Sequence, residues 1–443
     1  MSEVVKTGKT KVTLPLFIEK QKEGTYFTVP FTMPHGIELI TLRYNYQEHV
    51  RGKEPSEIGE FTGRTKINTI DLGLIAPDGS QVGASGSDKA EFTLSEISAT
   101  PGYHPHPLTP GEWQIIVGAY RVADEGVQVT YEIEFTPKIR RLFKGDLHVH
   151  TVASDGVQTV AELAQRALRH GLDFLAITDH NQPVSAGSLP RIDGITLIPG
   201  LEWTHYQGHA GFLGTERPYD GSFIANTPDE VKAHFISAHE RGATIIVDHP
   251  FDENCPFLFD INSLPIDAIE VWNGPMRESN LKAVGFWQTL LAAGKRIPIS
   301  GGSDFHRDTP FLFPGGPTTC VYAMSNSSAD ILAAVREGHS YITFAPDAPS
   351  LEMSANGSII GDTVSLASAR SIHIKLENLS GSDVVRIVDG KEAKAILQAP
   401  RHGDFELDYP VSAPGFARVE VLRAFLPGLP LLPALLSNPI YFE

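Results

Sequence analysis

The chain has 443 residues, 41% of them hydrophobic and 20% charged, which is the balance of an ordinary soluble globular protein with two or three domains. A formal charge of −17 argues against a nucleic-acid partner, which needs a basic face to displace counterions. Cys255 and Cys320 are the only cysteines, so neither a disulfide framework nor a thiolate zinc cluster is expected.

The opening "MSEVVKTGKTKV" has no apolar centre of signal-peptide type, and a cytoplasmic location is expected. The first 140 residues read as all-β. In "TIDLGLIAPDG", Ile70, Leu72 and Leu74 share one face before a Pro-Asp-Gly turn; in "VQVTYEIEF", Val127, Val129, Tyr131, Ile133 and Phe135 do the same. Glycine and proline punctuate these runs, and a β-sandwich domain is expected over residues 1–140.

After Lys144 the texture changes. "TVAELAQRALRHG" places Val160, Leu163, Ala164, Ala167 and Leu168 at helical spacing, with Thr159 and Glu162 as a capping box and Gly171 as a stop. The runs "DFLAIT", "ITLIPGLEW", "HAGFLG", "TIIVDHP", "AIEVWNG" and "IPISGGSD" read as strands. Between several of them lie the helical patterns "TPDEVKAHFISAHERG", "NLKAVGFWQTLLAAG" and "ADILAAVREG". Strands alternating with helices predict parallel βα units, most simply a barrel over residues 141–347. From "APSLEM" onward the chain is β again, as in "SIHIKLENL" and "FARVEVLRA", giving a third expected domain at 348–443. The apolar stretch "AFLPGLPLLPALL" is about a dozen residues broken by prolines, too short to span a bilayer, and is expected as a buried β edge.

The stretch "DLHVHTVASDG" carries His148 and His150 at i and i+2. That spacing puts both imidazoles on one side of a strand, where they can grip one cation. Alone, such a pair is weak evidence, but the event repeats along the chain. "AITDHN" ends a strand with Asp179 and His180, "IPGLEW" with Glu202, "IIVDHP" with Asp248 and His249, and "GGSDFHR" with Asp304 and His306; "GHAG" adds His209. In a parallel barrel, strand ends form the active-site rim. Histidine plus carboxylate without thiolate suits zinc, manganese or iron, and the count exceeds what one ion uses. Asp155 is read either as a ligand or as the residue of an Asp-Gly turn. Asp179 and Asp248 are read as ligands or as carboxylates that hold the neighbouring imidazoles.

"DLHVHTVASDG", "ITDH", "GLEW", "VDHP" and "SDFH", in that order, resemble the PHP family of polymerase and histidinol phosphatase metallohydrolases. The flanking β segments and the tail "ALLSNPIYFE" resemble, more loosely, the carbaryl hydrolase-like subgroup (CehA/McbA). The resemblance implies a distorted (β/α)7 TIM-like barrel, flanked by N-terminal and C-terminal β-sandwich-like segments, with two or three divalent metal ions (Zn, Mn or Fe). It implies that His148, His150, Glu202 and Asp304 hold one ion, and that Glu202 bridges to a second held by His209 and His249. His180 and His306, with Asp155, would hold a third. The expected activity is a phosphoesterase using a metal-bridging hydroxide, on a small-molecule substrate. The alternatives are a carbamate or carboxylic ester (or amide) hydrolase of carbaryl-hydrolase type, and a non-catalytic metal-bearing binding protein. Arg307 and Arg277 are candidate phosphate contacts, weighed against plain exposed arginines; Asp248, His205 or water is the candidate for protonating the leaving group, with His205 weighed equally as a packing residue.

Overall fold

The computed structural model describes residues 8–51, 64–390, 392–398 and 403–443. Contacts divide the chain into two compact units, Met1–Ile139 and Arg140–Glu443.

In the first unit the alternating runs form two antiparallel four-stranded sheets. One has the order Thr10–Ile18, Val127–Pro137, Ile37–Tyr46, Glu91–Ser95; the other Thr25–Met33, Gly111–Arg121, Thr69–Ile75, Gln81–Ser85. Side chains from both sheets meet in one core. Ile70, Leu72 and Leu74 from one sheet lie buried with Val129, Tyr131 and Ile133 from the other, around Trp113. Period-2 alternation thus became two inner faces, the geometry of a sandwich.

The second unit contains the four α-helices of the described residues: α1 (Val160–Arg169), α2 (Pro228–Glu240), α3 (Glu278–Ala292) and α4 (Ser328–Arg336). Thr159 and Glu162 form the expected capping box at α1, and Thr227 and Glu230 form another at α2. The strands do not make one continuous barrel ladder. A five-stranded sheet runs Gly200–His205, Gly208–Leu213, Thr244–Asp248, Ala268–Asn273, Ile299–Gly302. A larger sheet begins Thr196–Ile198, Phe174–Ala176, Arg141–Asp146, Thr318–Ala323, Ser340–Thr343. Two isolated parallel bridges join Val149 with Phe305, both just beyond strand ends, and His180 with Glu202, which lies within Gly200–His205.

Two local features explain this departure from the expected (β/α)7 pattern. The run "ITLIPGLEW" is two strands rather than one: Pro199, which has no N–H to donate, separates Thr196–Ile198 in the larger sheet from Gly200–His205 in the smaller. And only Tyr206 and Gln207 separate Gly200–His205 from Gly208–Leu213, so these strands pair as an antiparallel hairpin; a parallel crossover needs a dozen or so residues.

The C-terminal β segment adds directly to the larger sheet. Ser340–Thr343 pairs with Leu432–Ser437, which pairs with Gly415–Arg423. The 141–347 and 348–443 segments, expected as separate domains, therefore share a sheet. A further four-stranded sheet (Ser358–Ile359, Ser350–Ala355, Ser371–Leu379, Gly403–Pro410) packs Leu351, Ile372, Ile374 and Leu376 against Val385, Val419 and Val421. The apolar tail run is buried only in part. Ala434, Leu435 and Leu436 are core, whereas Leu426, Leu429 and Leu431 in the proline-rich turn before them are exposed. No helix of the described residues is long and apolar enough to cross a membrane.

Candidate metal centre

The site is built where the strands of the second unit end. His148 and His150 continue the strand Arg141–Asp146, and the Asp304–His306 segment continues Ile299–Gly302. The two extensions are laced together: Asp304 N–H donates to His148 C=O at 2.9 Å, and His150 N–H to Phe305 C=O at 2.9 Å. Buried Asp146 pins both, accepting from His148 N–H, Ser303 N–H (2.9 Å) and Gly315 N–H (2.7 Å). Burial pushes its carboxyl up to about 6 against these three donors. Asp179 does not hold an imidazole directly. It accepts from Thr151 N–H, Thr151 Oγ1 and Ser154 Oγ, each at 2.7 Å, and so fixes the turn that carries Asp155.

Glu202 is the hub. It is wholly buried, and its carboxylate oxygens lie 2.6 Å from His180 Nδ1, 2.7 Å from His209 Nδ1, 3.1 Å from His249 Nε2, 3.5 Å from His150 Nε2 and 3.6 Å from His148 Nε2. Asp304 Oδ1 lies 3.1 Å from His150 Nε2 and 3.5 Å from both His148 Nε2 and His306 Nδ1. Asp155 Oδ1 stands 3.2 Å from His306 Nε2 and 3.6 Å from His180 Nε2. All nine side chains expected as metal ligands are thereby brought together. Overlapping sets have ligand atoms within 4.8 Å of one another, among them His148–His150–Glu202, His180–Glu202–His209, and His150 with Asp155, His180 and His306.

The electrostatics follow from burial and charge. Burial alone would lower the His148 pKa, but Glu270, Asp304, Asp248 and Glu202 raise it well above the ordinary imidazole value. Burial alone would raise the Glu202 and Asp304 carboxyls, but the imidazoles facing them hold both well below the usual carboxylate range. His150, facing fewer carboxylates, is lowered by burial. His148 Nε2 and His150 Nε2 are buried without a hydrogen-bond partner. Such groups are costly in an apolar interior. Imidazole lone pairs and carboxylates converging on one spot, with their usual partners missing, are the donor set of a cation site; divalent ions fit here. His249 and Asp304 also take positive φ (28° and 53°), a region that non-glycine residues rarely adopt and that concentrates at functional sites.

The other candidates fall in different places. Asp248 lies buried beside the cluster, its Oδ1 4.0 Å from His148 Nδ1 and its Oδ2 without a partner. Burial, together with Glu270 and Glu202, raises its pKa well above the usual carboxylate value. Arg277 donates to Asn273 Oδ1 at 2.7 Å, and Arg307 reaches Asp155 C=O at 3.3 Å; both are at the rim. His205 is not in the cluster. It alternates with Thr204, which contacts His180, so it points to the opposite face; it stacks on Trp203, and both its ring nitrogens serve backbone groups of Ala225 and Gln207. Burial lowers its pKa, and it packs rather than transfers protons.

Two neighbours were not foreseen. Cys255 Sγ lies 3.7 Å from His249 Nδ1. Glu270, buried in the strand Ala268–Asn273, has its Oε1 3.2 Å from His148 Nδ1. Its one signal was a lone charge inside the apolar run "AIEVW".

Residues 146–222 match the PHP domain family. The DNA polymerase/3'-5' exonuclease PolX of Bacillus subtilis is 30% identical over 136 residues, 29% of this chain, and the chain spans only 22% of that relative. An uncharacterised protein of Methanocaldococcus jannaschii is 29% identical over 152 residues, 30% of this chain and 84% of its own length. Among solved structures, a two-domain Bacteroides vulgatus protein described as containing a predicted PHP-like metal-dependent phosphoesterase is 17% identical, with a TM-score of 0.40, over 68% of this chain and 95% of that one. The family match takes in His148, His150, Asp155, His180, Glu202 and His209 and ends before His249, Asp304 and His306, so what it shows in this chain is a PHP-type segment at residues 146–222.

Proposed function

We propose that this protein is a metal-dependent hydrolase, and that its reaction is phosphoester cleavage at a site holding two or three divalent ions. The observation that carries this reading is the gathering of six imidazoles with the carboxylates of Asp155, Glu202 and Asp304, five of the imidazoles standing within 3.6 Å of buried Glu202. His148, His150, Glu202 and Asp304 would hold one ion; Glu202, His209 and His249 a second; and Asp155, His180 and His306 a third. Divalent ions bound there acidify water and neutralise charge building on a substrate's oxygens. The chain's own groups do the rest. Arg277 and Arg307, at the rim, offer guanidinium donors to an anionic substrate. Asp248 Oδ2, buried and free of partners, is where a proton for the leaving group would be held.

Two other substrate classes stand beside this one. An uncharged aryl carbamate or ester is favoured by exposed apolar side chains on the loops that carry the site. Val152 and Val157 follow His150, Phe311 follows His306, and Tyr206 and Leu258 lie on loops joined by the Leu258 N–H to Gln207 C=O bond. The carbaryl hydrolase-like resemblance of the tail points the same way. The net negative charge does not dismiss nucleic acid, as the composition had suggested, since the PolX relative is named as an exonuclease. Rates on p-nitrophenyl phosphate, bis-p-nitrophenyl phosphate, a naphthyl carbamate and a 5'-phosphorylated oligonucleotide, each with added manganese or zinc, separate these classes. A phosphoesterase turns over one of the phosphate substrates fastest. Two or three bound ions without turnover of any of the four would mark a metal-bearing binding protein instead, and no bound metal would end the reading.

A further inference from the structure

The residue that decides whether His148 can ligate is not in the ligand set. His148 Nε2 faces Glu202 and Asp304, so ligation there requires the proton to sit on Nδ1. Nδ1 faces Glu270, at 3.2 Å from Oε1 and 3.4 Å from Oε2. The carboxylate itself is fixed: Oε2 accepts from His249 N–H at 2.9 Å and from Asn273 Nδ2 at 3.1 Å. Asn273, also buried, in turn accepts from Arg277 at 2.7 Å. One side chain thus reaches a candidate ligand, the backbone of another, and the amide that orients the rim arginine. The sequence keeps room for it. A Cβ at Gly302, the second glycine of "SGGSD", would collide with His148 Cβ and lie 2.6 Å from Glu270 Oε1.

We infer that Glu270 is a positioning residue that holds His148 as its Nδ1–H tautomer, with the Nε2 lone pair aimed at the cation site. The inference rests on the reading of His148 as a ligand, and its chemistry is that of a carboxylate behind a metal-bound imidazole. A carboxylate can only accept, so Nδ1 donates. Glutamine has nearly the same shape but a different code. The two donors that hold Oε2, His249 N–H and Asn273 Nδ2, would orient an amide with its oxygen towards them and its NH2 towards His148. That NH2 needs an acceptor, so the His148 proton moves to Nε2 and the ligating lone pair is lost. Glu270→Ala has no such preference and leaves the tautomer free.

The full chain, purified metal-free, is titrated with Mn²⁺ or Zn²⁺ as wild type, Glu270→Gln and Glu270→Ala. Loss of a supporting carboxylate weakens a metal site by about 10–100-fold. The expected result is a Gln variant that binds the metal ion no better than the Ala variant, despite its closer shape. A purely structural role predicts the reverse order, Gln near wild type and Ala worst, and that order would overturn the inference. Imidazole nitrogen shifts in ¹⁵N-labelled, metal-free protein, followed up the pH scale until His148 has lost its second proton, give a second reading that needs neither bound metal nor turnover. The resonances that disappear in His148→Asn should report Nδ1–H in wild type and Nε2–H in Glu270→Gln. An unchanged tautomer in the Gln variant sinks the proposal even if the protein proves to be a hydrolase. A changed tautomer sustains it even if none of the assayed esters is a substrate.

Discussion

At the scale of single residues, the site is a balance of buried charges that a cation completes. Glu202 is wholly buried, and imidazoles surround it. Glu202→Gln keeps the volume and removes the charge, so the imidazoles lose the anion that helps draw a cation to them. The expected outcome is the loss of at least one ion per chain by elemental analysis. Metal affinity should fall at least as far as the roughly 10–100-fold that loss of a mere supporting carboxylate costs. Full metal content and activity in that variant would remove Glu202 from the hub. Most of the candidate histidines were legible because they follow apolar runs, where a strand leaves its sheet; His209, second in Gly208–Leu213, is the exception. Glu270 was not legible, because it sits within its strand, where a lone carboxylate in an apolar run reads as a minor break in pattern. Only the fold brings it against an imidazole 122 positions earlier in the chain. His205, open between the site and plain packing on sequence alone, lies on the packing side: one position along a strand turns a side chain to the other face, and its neighbours Thr204 and Glu202 hold the inner one.

At the scale of elements, the capping boxes and helical spacings marked all four helices, since those signals are local. Strand partners depend on distant chain: the tail run was expected as a buried β edge, but nothing local named Ser340–Thr343 as the strand it would pair with. Asn438, in the tail motif "ALLSNPIYFE", is buried between the strands Ile299–Gly302 and Ser340–Thr343. Its Oδ1 accepts from Ile299 N–H at 2.9 Å, and its Nδ2 donates to Ile299 C=O at 3.3 Å and to Ser340 C=O at 3.0 Å. It satisfies backbone groups at the first residue of the strand that leads to Asp304. Asn438→Ala leaves the Ile299 N–H without a partner, and an unpaired buried backbone group costs about 1–3 kcal/mol. A loss of about 2–4 kcal/mol in denaturant titration is expected, together with weaker metal binding through the displaced Asp304 segment. Asn438→Asp restores the acceptor but not the donors, and should fall between Ala and wild type. A neutral Ala variant would show that the tail does not brace the site strands.

At the scale of the whole molecule, the chain has two compact units, each with its own core, and the candidate ligands are confined to the second. A ligand that binds only the folded form stabilises by mass action, about 2.7 kcal/mol at one hundred times its dissociation constant. Spread over the 304 residues from Arg140 to Glu443, that free energy raises the midpoint by roughly 4 °C per ion. The second unit also gathers Glu202, Asp248, Glu270 and Asp304 around the single His148 ring, a mutual repulsion that bound ions would relieve. Calorimetry of the full chain, with excess Mn²⁺ or Zn²⁺ and again after chelation, should therefore show two transitions of which only one moves. The metal-dependent transition should carry the larger enthalpy, because unfolding enthalpy scales with the number of residues and the second unit is the bigger. If the smaller transition moved, the ions would be acting on the N-terminal sandwich. If neither moved, the carboxylate and imidazole cluster would not be a metal site.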